Sequence, residues 1–261
     1  MNTVSKHLWV SRQTGQGAAV GEGSSTSVAT NGTTSLIWNE GVEFFFDSDD
    51  KDGALREVIC NGGVVLAEDG STVECETLTV EFQKTPDGSS TPSVAIATGN
   101  VNAISESQTL WSDQARVTFK SGENNADEEN TMFGGAKADT MYASGNVQVL
   151  LDDGGRAFCN SLEGNIAQDS VQLSGNVVIA YKRMLMNRGE SATLSLDRLS
   201  GKGKWVGAGQ ALFLDDPLDV SANERIIRPQ VTTDSEAVNK TNNISMRTNW
   251  HESMHLDRTF N

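Results

Sequence analysis

The sequence predicts an all-β protein made of antiparallel, hairpin-like units stacked in series, and three observations predict it. Apolar residues share one parity over short stretches, as Val171, Leu173, Val177 and Ile179 do, and this alternation is the signature of strands with one buried face. Glycine is abundant and proline scarce, with 25 and 4 residues, a balance typical of short strands joined by glycine turns. A Gly-Asn-Val motif recurs along the chain, which indicates a repeat architecture.

The composition limits both the core and the partners. Apolar residues make up 37% of the 261 residues, below the globular average, which favours a thin or elongated core. The formal net charge is −15, so a nucleic-acid partner is excluded because a phosphate backbone needs a basic face. The same charge disfavours the phosphates of an anionic lipid. Any lipid is therefore expected to bind through its acyl chains.

The N-terminal region carries no recognisable targeting signal. Residues 1–20 lack a charged segment followed by an apolar run, and no stretch approaches the ~18 apolar residues of a membrane helix. Residues 1–34 are expected to be irregular. The three cysteines, Cys60, Cys75 and Cys159, form no C-x-x-C pair, so they are expected to be buried thiols, with a Cys60–Cys75 disulfide as the alternative.

The repeat is clearest when the first copy is shifted by 37 residues along the chain. The shift places Gly62 on Gly99 and Val64 on Val101 without a gap. Apolar positions of the following strand then coincide, because Val73, Leu78, Val80 and Phe82 fall on Leu110, Ala115, Val117 and Phe119.

Two further copies of the motif begin at Gly145 and Gly175. The acidic, aperiodic residues 121–130 separate the second copy from the third and are predicted to be an inserted surface loop. The repeat domain is expected to span residues 35–214.

A longer-range similarity links the two ends of the chain. Residues 38–44, WNEGVEF, resemble residues 250–256, WHESMHL. The polar residues 215–243 are expected to form a linker, and residues 244–261 to begin a further β repeat. The chain is therefore expected to be a fragment of a larger protein.

The run Val171–Ile179, followed by residues 192–196 and Gly201-Lys202-Gly203, resembles the OstA-like (LptA-like) family. That family includes the periplasmic bridge of lipopolysaccharide transport and the N-terminal domain of the outer-membrane translocon. The copies at Gly99 and Gly145 fit the same pattern, and the resemblance covers roughly residues 35 to 215.

The resemblance implies a β-jellyroll folded like a taco, a solenoid-like sheet whose apolar inner groove holds acyl chains. It further implies a non-catalytic envelope module in the periplasm or at the outer membrane. Its partners would be a lipopolysaccharide-like glycolipid and other OstA-like domains, stacked through edge strands. The residues expected to line the groove, whose ordinary role would be sheet core, are Val64, Leu66, Val80, Phe82, Val101, Val117, Phe119, Val147, Val149, Val177, Ile179, Leu194 and Leu196.

Residues 251–255, HESMH, match the zincin motif H-E-x-x-H. On a helix this spacing places both histidines on one face to bind zinc. Ile244, Met246, Trp250 and Met254 share strand parity, however, although the last three also fit helical spacing. We favour a strand here, and a zinc protease using His251 and His255 is the minor alternative.

Other polar groups are expected to be structural. Asn100, Asn146 and Asn176 are predicted to hold strand kinks through left-handed backbone geometry rather than to bind sugars. The pairs Asp152-Asp153 and Asp215-Asp216 lack a calcium-ligand series and are predicted to be solvated turns. Trp111 and Trp205 are open to two roles, sugar stacking or packing. We expect no enzyme activity, no cofactor and no metal.

A second hypothesis, a structural protein rather than a lipid-binding one, remains open. The same repeats are compatible with a structural β-solenoid or adhesin-like spacer whose interior is packed solid. A groove wide enough for a lipid would distinguish the carrier from the spacer.

Overall fold

The computed structural model confirms an all-β, antiparallel fold. It describes residues 2–11, 13–29, 32–47, 53–68, 70–85, 88, 90–120, 136–152, 154–187, 192–197, 200, 202–214, 225 and 244–257. Within these ranges no helix is long and apolar enough to span a membrane. The strands are β1 (Asn2–Ser11), β2 (Gln16–Ala29), β3 (Gly32–Trp38), β4 (Gly41–Phe46), β5 (Leu55–Glu68), β6 (Ser71–Lys84), β7 (Ser90–Ile104), β8 (Gln108–Phe119), β9 (Ala138–Leu151), β10 (Arg156–Asn165), β11 (Ser170–Ser174), β12 (Val178–Tyr181), β13 (Met184–Asn187), β14 (Thr193–Asp197), β15 (Lys202–Val206), β16 (Gly209–Leu214), β17 (Ile244–Trp250) and β18 (Ser253–Asp257).

The chain divides into two compact units. Unit 1 comprises Met1–Glu106 and Asp113–Met141, and unit 2 comprises Ser107–Ser112 and Tyr142–Asn261. The division therefore falls inside β8 and β9. The predicted surface loop 121–130 lies outside the described residues, as does the predicted linker 215–243 apart from Arg225.

In unit 1 the strands form an antiparallel ladder of long rungs. We call a rung either one long strand or two short strands that pair with the same long neighbour. β2 pairs with β1 on one side and with both β3 and β4 on the other. β3 and β4 together form one rung against β5, and β5 pairs with β6, which pairs with β7.

Unit 2 repeats this arrangement with more of its rungs split. β10 pairs with β11 through one half and with β12 through the other. β11 then pairs with β14, and β12 with β13. On one half of the ladder β14 pairs with β15, which pairs with β18. On the other half β13 pairs with β16, which pairs with β17. Each split rung is thus two short strands meeting at a corner.

The repeated motif forms the corner of a rung. In each Gly-Asn copy both residues have a left-handed backbone: φ is 79° and 48° at Gly99-Asn100, and the asparagines of the other two copies have φ of 48° and 49°. Glycine and asparagine tolerate this conformation better than other residues, so the dipeptide bends the chain at the corner. β7 continues through Gly99-Asn100, whereas at Gly175-Asn176 β11 ends and β12 follows. The relaxed copy Gly62-Gly63 behaves in the same way, with φ of 85° and 72°.

The N-terminal segment corrects an expectation. Residues 1–34 were expected to be irregular, but β1 and β2 occupy most of them. β2 is rich in small residues because its neighbour carries a large one: a Cβ added to Gly23 would lie 2.5 Å from the Trp38 ring. Trp38 is 1% exposed, so glycine on β2 makes room for the indole.

The indole of Trp38 is also held by hydrogen bonds at the corner between β3 and β4. Its Nε1 donates to the carbonyl oxygen of Gly21 at 3.0 Å. The Gly21 amide in turn donates to the carbonyl oxygen of Glu40 at 2.7 Å. Gly-x-Gly on one rung is thus joined to Trp-x-Glu on the next, and we call this arrangement the tryptophan corner.

The tryptophan corner recurs near the C-terminus of the sequence. Trp250 Nε1 donates to the carbonyl oxygen of Gly207 at 3.2 Å, and the Gly207 amide donates to the Glu252 carbonyl at 2.7 Å. A Cβ on Gly209 would collide with the Trp250 ring. The similarity between residues 38–44 and 250–256 is thus a structural one, with β17–β18 equivalent to β3–β4.

Candidate functional site: the apolar inner face

In unit 1 one face of the ladder carries continuous apolar rows, and we call it the inner face. Each row runs across the strands through directly paired residues, because alternation sends every second side chain to the same side. The first row is Leu8, Ala19, Val42, Cys60, Leu78 and Ala97. The second is Val10, Gly17, Phe44, Val58, Val80 and Ala95.

Burial along the inner face decreases away from the corner. Next to the corner, Val64 and Val101 are each 1% exposed. Farther along the rungs, Phe44, Val58 and Phe82 pack against the same cluster but are only partly buried. On the side of the corner formed by β4 and its neighbours, the inner face is therefore closed at the corner and more open toward the strand ends, whereas on the β3 side Thr34 stays buried.

The inner face is most open at β1. Leu8 is 60% exposed and Val10 57% exposed, although both continue the apolar rows of the buried core. Large exposed apolar side chains that continue a core mark a surface suited to another molecule.

All the residues expected to line the groove lie in strands or at a corner. Seven are buried, and they are Val64, Leu66, Val80, Val101, Val147, Val177 and Leu194. Six are half-buried, and they are Phe82, Val117, Phe119, Val149, Ile179 and Leu196. The half-buried group is the one that a bound chain could reach. Its role in binding stays a prediction.

Unit 2 departs from the expected alternation. Its inner row Leu162, Leu173, Leu194, Trp205 and Met254 follows the pattern of unit 1. On the other side of the corner, β13 and β16 carry buried residues on both faces, whereas β12 keeps an alternating burial pattern. Ile179 and Met186 pair on one face, while the opposite face holds a second cluster of Phe158, Val178, Ala180, Leu185, Leu212 and Leu214.

The second cluster had a signal in the sequence. The runs at residues 177–180, 184–186 and 211–214 are continuously apolar rather than alternating, which indicates strands buried on both faces. Beside them lies a buried polar group that the sequence did not indicate. Arg156 is 1% exposed, donates to Gln148 Oε1 at 3.2 Å and stacks on Trp111 with its Cζ 5.1 Å from the ring centroid.

The asparagines of the motif have the structural role expected of them. Asn100, Asn146 and Asn176 all sit in the left-handed region. Asn100 Nδ2 also donates to Glu76 Oε1 at 2.8 Å, which ties the corner of β7 to β6. The expectation of strand kinks is confirmed.

The zinc-protease alternative required a helix, and the segment forms strands. β17 ends at Trp250 and β18 begins at Ser253, with His251 in the bend between them. His255 lies in β18 opposite Lys204. The described residues contain no group of three or more side chains able to hold a metal ion. The described residues 244–257 therefore lack the helix that this alternative requires.

Trp111 and Trp205, for which the sequence left sugar stacking and packing as alternatives, are packing residues. Trp111 is 6% exposed and Trp205 is fully buried. Trp205 meets Trp250 edge to face, with ring centroids 5.5 Å apart, an arrangement that stabilises aromatic pairs. Neither ring presents a face to a sugar. Of the carboxylate pairs, Asp152 is exposed, and Asp153, Asp215 and Asp216 lie outside the described residues.

All three cysteines are buried free thiols, so the alternative of a Cys60–Cys75 disulfide is not adopted. Burial and, to a smaller extent, the neighbouring Cys75 raise the pKa of Cys60 to about 12. Burial raises the pKa of Cys75 to about 11, against a lowering by a backbone hydrogen bond with Thr98. Both thiols therefore stay protonated in the folded protein.

These thiols should make the folded state weaker in alkali. The ordinary thiol pKa is 9.0, so stability present below pH 9 is lost as the pH rises toward 11 and 12. Between pH 8 and pH 10 we expect a loss of about 1 kcal/mol per thiol in the free energy of unfolding, measured by urea titration. Cys60→Ala should show a smaller loss. Rapid iodoacetamide labelling of both native thiols at pH 8 would contradict this assignment.

No protein-family model and no curated protein sequence matches this chain. Among solved structures, it is similar to LptH from Pseudomonas aeruginosa, described as the LptA-homologous periplasmic component of the lipopolysaccharide transport device. The TM-score is 0.34 at 11% sequence identity, over 49% of this chain and 75% of that one. The likeness is partial and concerns the fold alone.

Proposed function

We propose that this chain is a non-catalytic cell-envelope module that holds the acyl chains of a glycolipid along its inner face. The observation that carries the proposal is the open end of that face. Leu8 and Val10 are more than half exposed, and Phe44 and Phe82 are only partly buried beside the core. Each methylene that such a surface removes from water contributes ~0.8 kcal/mol.

The charge of the chain supports acyl-chain contact over headgroup contact. With a net charge of −15, the protein repels phosphates unless basic residues oppose the field locally. The described inner rows of unit 1 are apolar and contain no basic residue. We therefore assign the lipid tail, not its headgroup, to the inner face. A lipopolysaccharide-like glycolipid in the periplasm or at the outer membrane is the proposed cargo.

Bridging to similar domains is the second part of the proposal. A rung can add to an exposed strand edge through backbone hydrogen bonds. β1 combines an apolar inner surface at Leu8 and Val10 with a position at the start of the ladder. A further rung placed against it would cover these side chains and prolong the inner face.

One observation favours the spacer instead. Next to the corners the interior is filled, since Val147 and Val177 are 0% exposed and Leu194 is 2% exposed. If the same packing extends along the rungs in solution, no acyl chain can enter. The two functions therefore differ in whether lipid binds at all.

Native mass spectrometry with lipid extraction tests the proposal. We expect the gently purified protein to carry an acylated lipid, or to take one up from added lipopolysaccharide. The double variant Phe82→Asp, Phe119→Asp should lose that mass, because two charges on the inner face make burial of an acyl chain costly.

The matched control is Val28→Asp, since Val28 is 73% exposed and alternates away from the inner-face position Ser27. This variant should keep its lipid. Circular dichroism must show that both variants remain folded. A wild-type protein that stays lipid-free after incubation with lipopolysaccharide would establish the spacer.

A further inference from the structure

The outer face of unit 1 carries a groove across β1, β2 and β4, on the side opposite the apolar rows. Its volume is about 460 Å³, and the side chains that define it are Trp9, Gln16, Ala18, Glu40, Glu43 and Phe45. Trp9 pairs with Ala18, and Ala18 pairs with Glu43. Trp9 and Glu43 thus stand two strands apart, on the order of 10 Å, with only an alanine between them.

The groove is walled by aromatic residues on a face that carries both polar and apolar side chains, such as Glu57 and Ile59 at the neighbouring positions of β5. Trp9 is 48% exposed, and Phe45 is half-buried on the same face, paired with Gln16. Farther along the outer face, the corresponding positions of β6 are Thr79 and Glu81. The exposed part of the Trp9 indole is accessible to a ligand.

The charged side chains of the groove determine whether the ligand is a cation or an anion. Glu40 and Glu43 are both exposed, and among the described residues no lysine, arginine or histidine lines the groove. A cation would be attracted by the two carboxylates and by the face of the indole together. A weakly hydrated organic cation gains more from an aromatic face than a metal ion does, since less of its hydration is lost on binding.

We propose that this outer-face groove binds a small organic cation with a quaternary ammonium group, held between Trp9, Phe45 and the carboxylate of Glu43. Ala18 and Gly41 provide the floor, because the single methyl group of Ala18 and the absence of a side chain at Gly41 leave space between the walls. The proposal is independent of the lipid function, which uses the opposite face of the same strands.

Saturation-transfer NMR on the N-methyl protons of choline tests the site in the full chain. We expect choline to bind, and its uncharged isostere 3,3-dimethylbutan-1-ol to bind at least about fivefold more weakly. Trp9→Leu removes the aromatic face but keeps an apolar side chain, and should weaken choline binding by about threefold. Glu43→Gln should weaken it by a similar factor.

The matched control for the charge is Glu81→Gln, which removes an exposed carboxylate of the same outer face outside the groove. Glu81→Gln reduces the net negative charge by the same amount as Glu43→Gln and should leave the affinity for choline unchanged. Equal weakening by Glu43→Gln and Glu81→Gln would overturn the proposal, because it would show a general effect of the acidic surface. Equal binding of choline and its uncharged isostere, or no choline binding at all, would overturn it too.

Discussion

Replacing Trp38 with alanine should destabilise the protein by about 3–5 kcal/mol, the cost of removing a fully buried aromatic side chain. The indole is 1% exposed and fills the space that Gly23 leaves on β2. Its removal also leaves the carbonyl oxygen of Gly21 without the 3.0 Å hydrogen bond from Nε1. Urea unfolding of the full chain, followed by circular dichroism, measures the change.

The control for Trp38 is Trp9→Ala. Trp9 is 48% exposed and lies outside the core cluster of unit 1, so its loss should cost less than about 1 kcal/mol. Similar losses in the free energy of unfolding for the two variants would show that the tryptophan corner, made of Gly-x-Gly and Trp-x-Glu, does not hold β2 to β3.

Replacing Gly62 with alanine should cost more than about 2 kcal/mol in the free energy of unfolding. Gly62 has φ of 85°, and a non-glycine residue in this region is strained by about 1–2 kcal/mol. The added Cβ would also meet the Glu40 side chain, and would lie 2.8 Å from the backbone nitrogen of Glu40. Because a backbone atom cannot turn away, the two rungs would have to separate at the corner.

Gly53→Ala separates these two causes. Gly53 has a left-handed φ of 65°, but an added Cβ would meet nothing within 4 Å. It should therefore cost only the backbone strain of about 1–2 kcal/mol. Thermal unfolding of both variants gives the comparison. Equal losses would mean that the contact between the Gly62 corner and Glu40 contributes nothing to stability.

The strands of the repeat region were predictable because alternation is a local property. Val64 and Leu66, or Val80 and Phe82, point to one face wherever the strand goes. The corners were predictable for a similar reason, since Gly99-Asn100 carries its left-handed preference in its own two residues. The sequence could not show how far along each rung the inner face stays open, because exposure depends on which rungs pack together.

The N-terminal strands were missed because their evidence lies in another part of the chain. Gly17, Ala19 and Gly23 read as a loop when β2 is considered alone. They are strand residues because Trp38 occupies the space above Gly23. In addition, the paired strands on both sides accept and donate the hydrogen bonds of the β2 backbone. Small residues opposite a large one fit together only after the pairing register is known.

The sequence by itself determined the all-β class, the strand alternation, the left-handed corners and the relation between residues 38–44 and 250–256. Only the tertiary structure decided which residues form the second cluster, that Arg156 lies inside against Trp111, and that the inner face opens at Leu8 and Val10. The physical reason is the range of the forces that act. Backbone preference and periodicity act within a few residues, whereas burial is set by whichever distant rungs the ladder brings together.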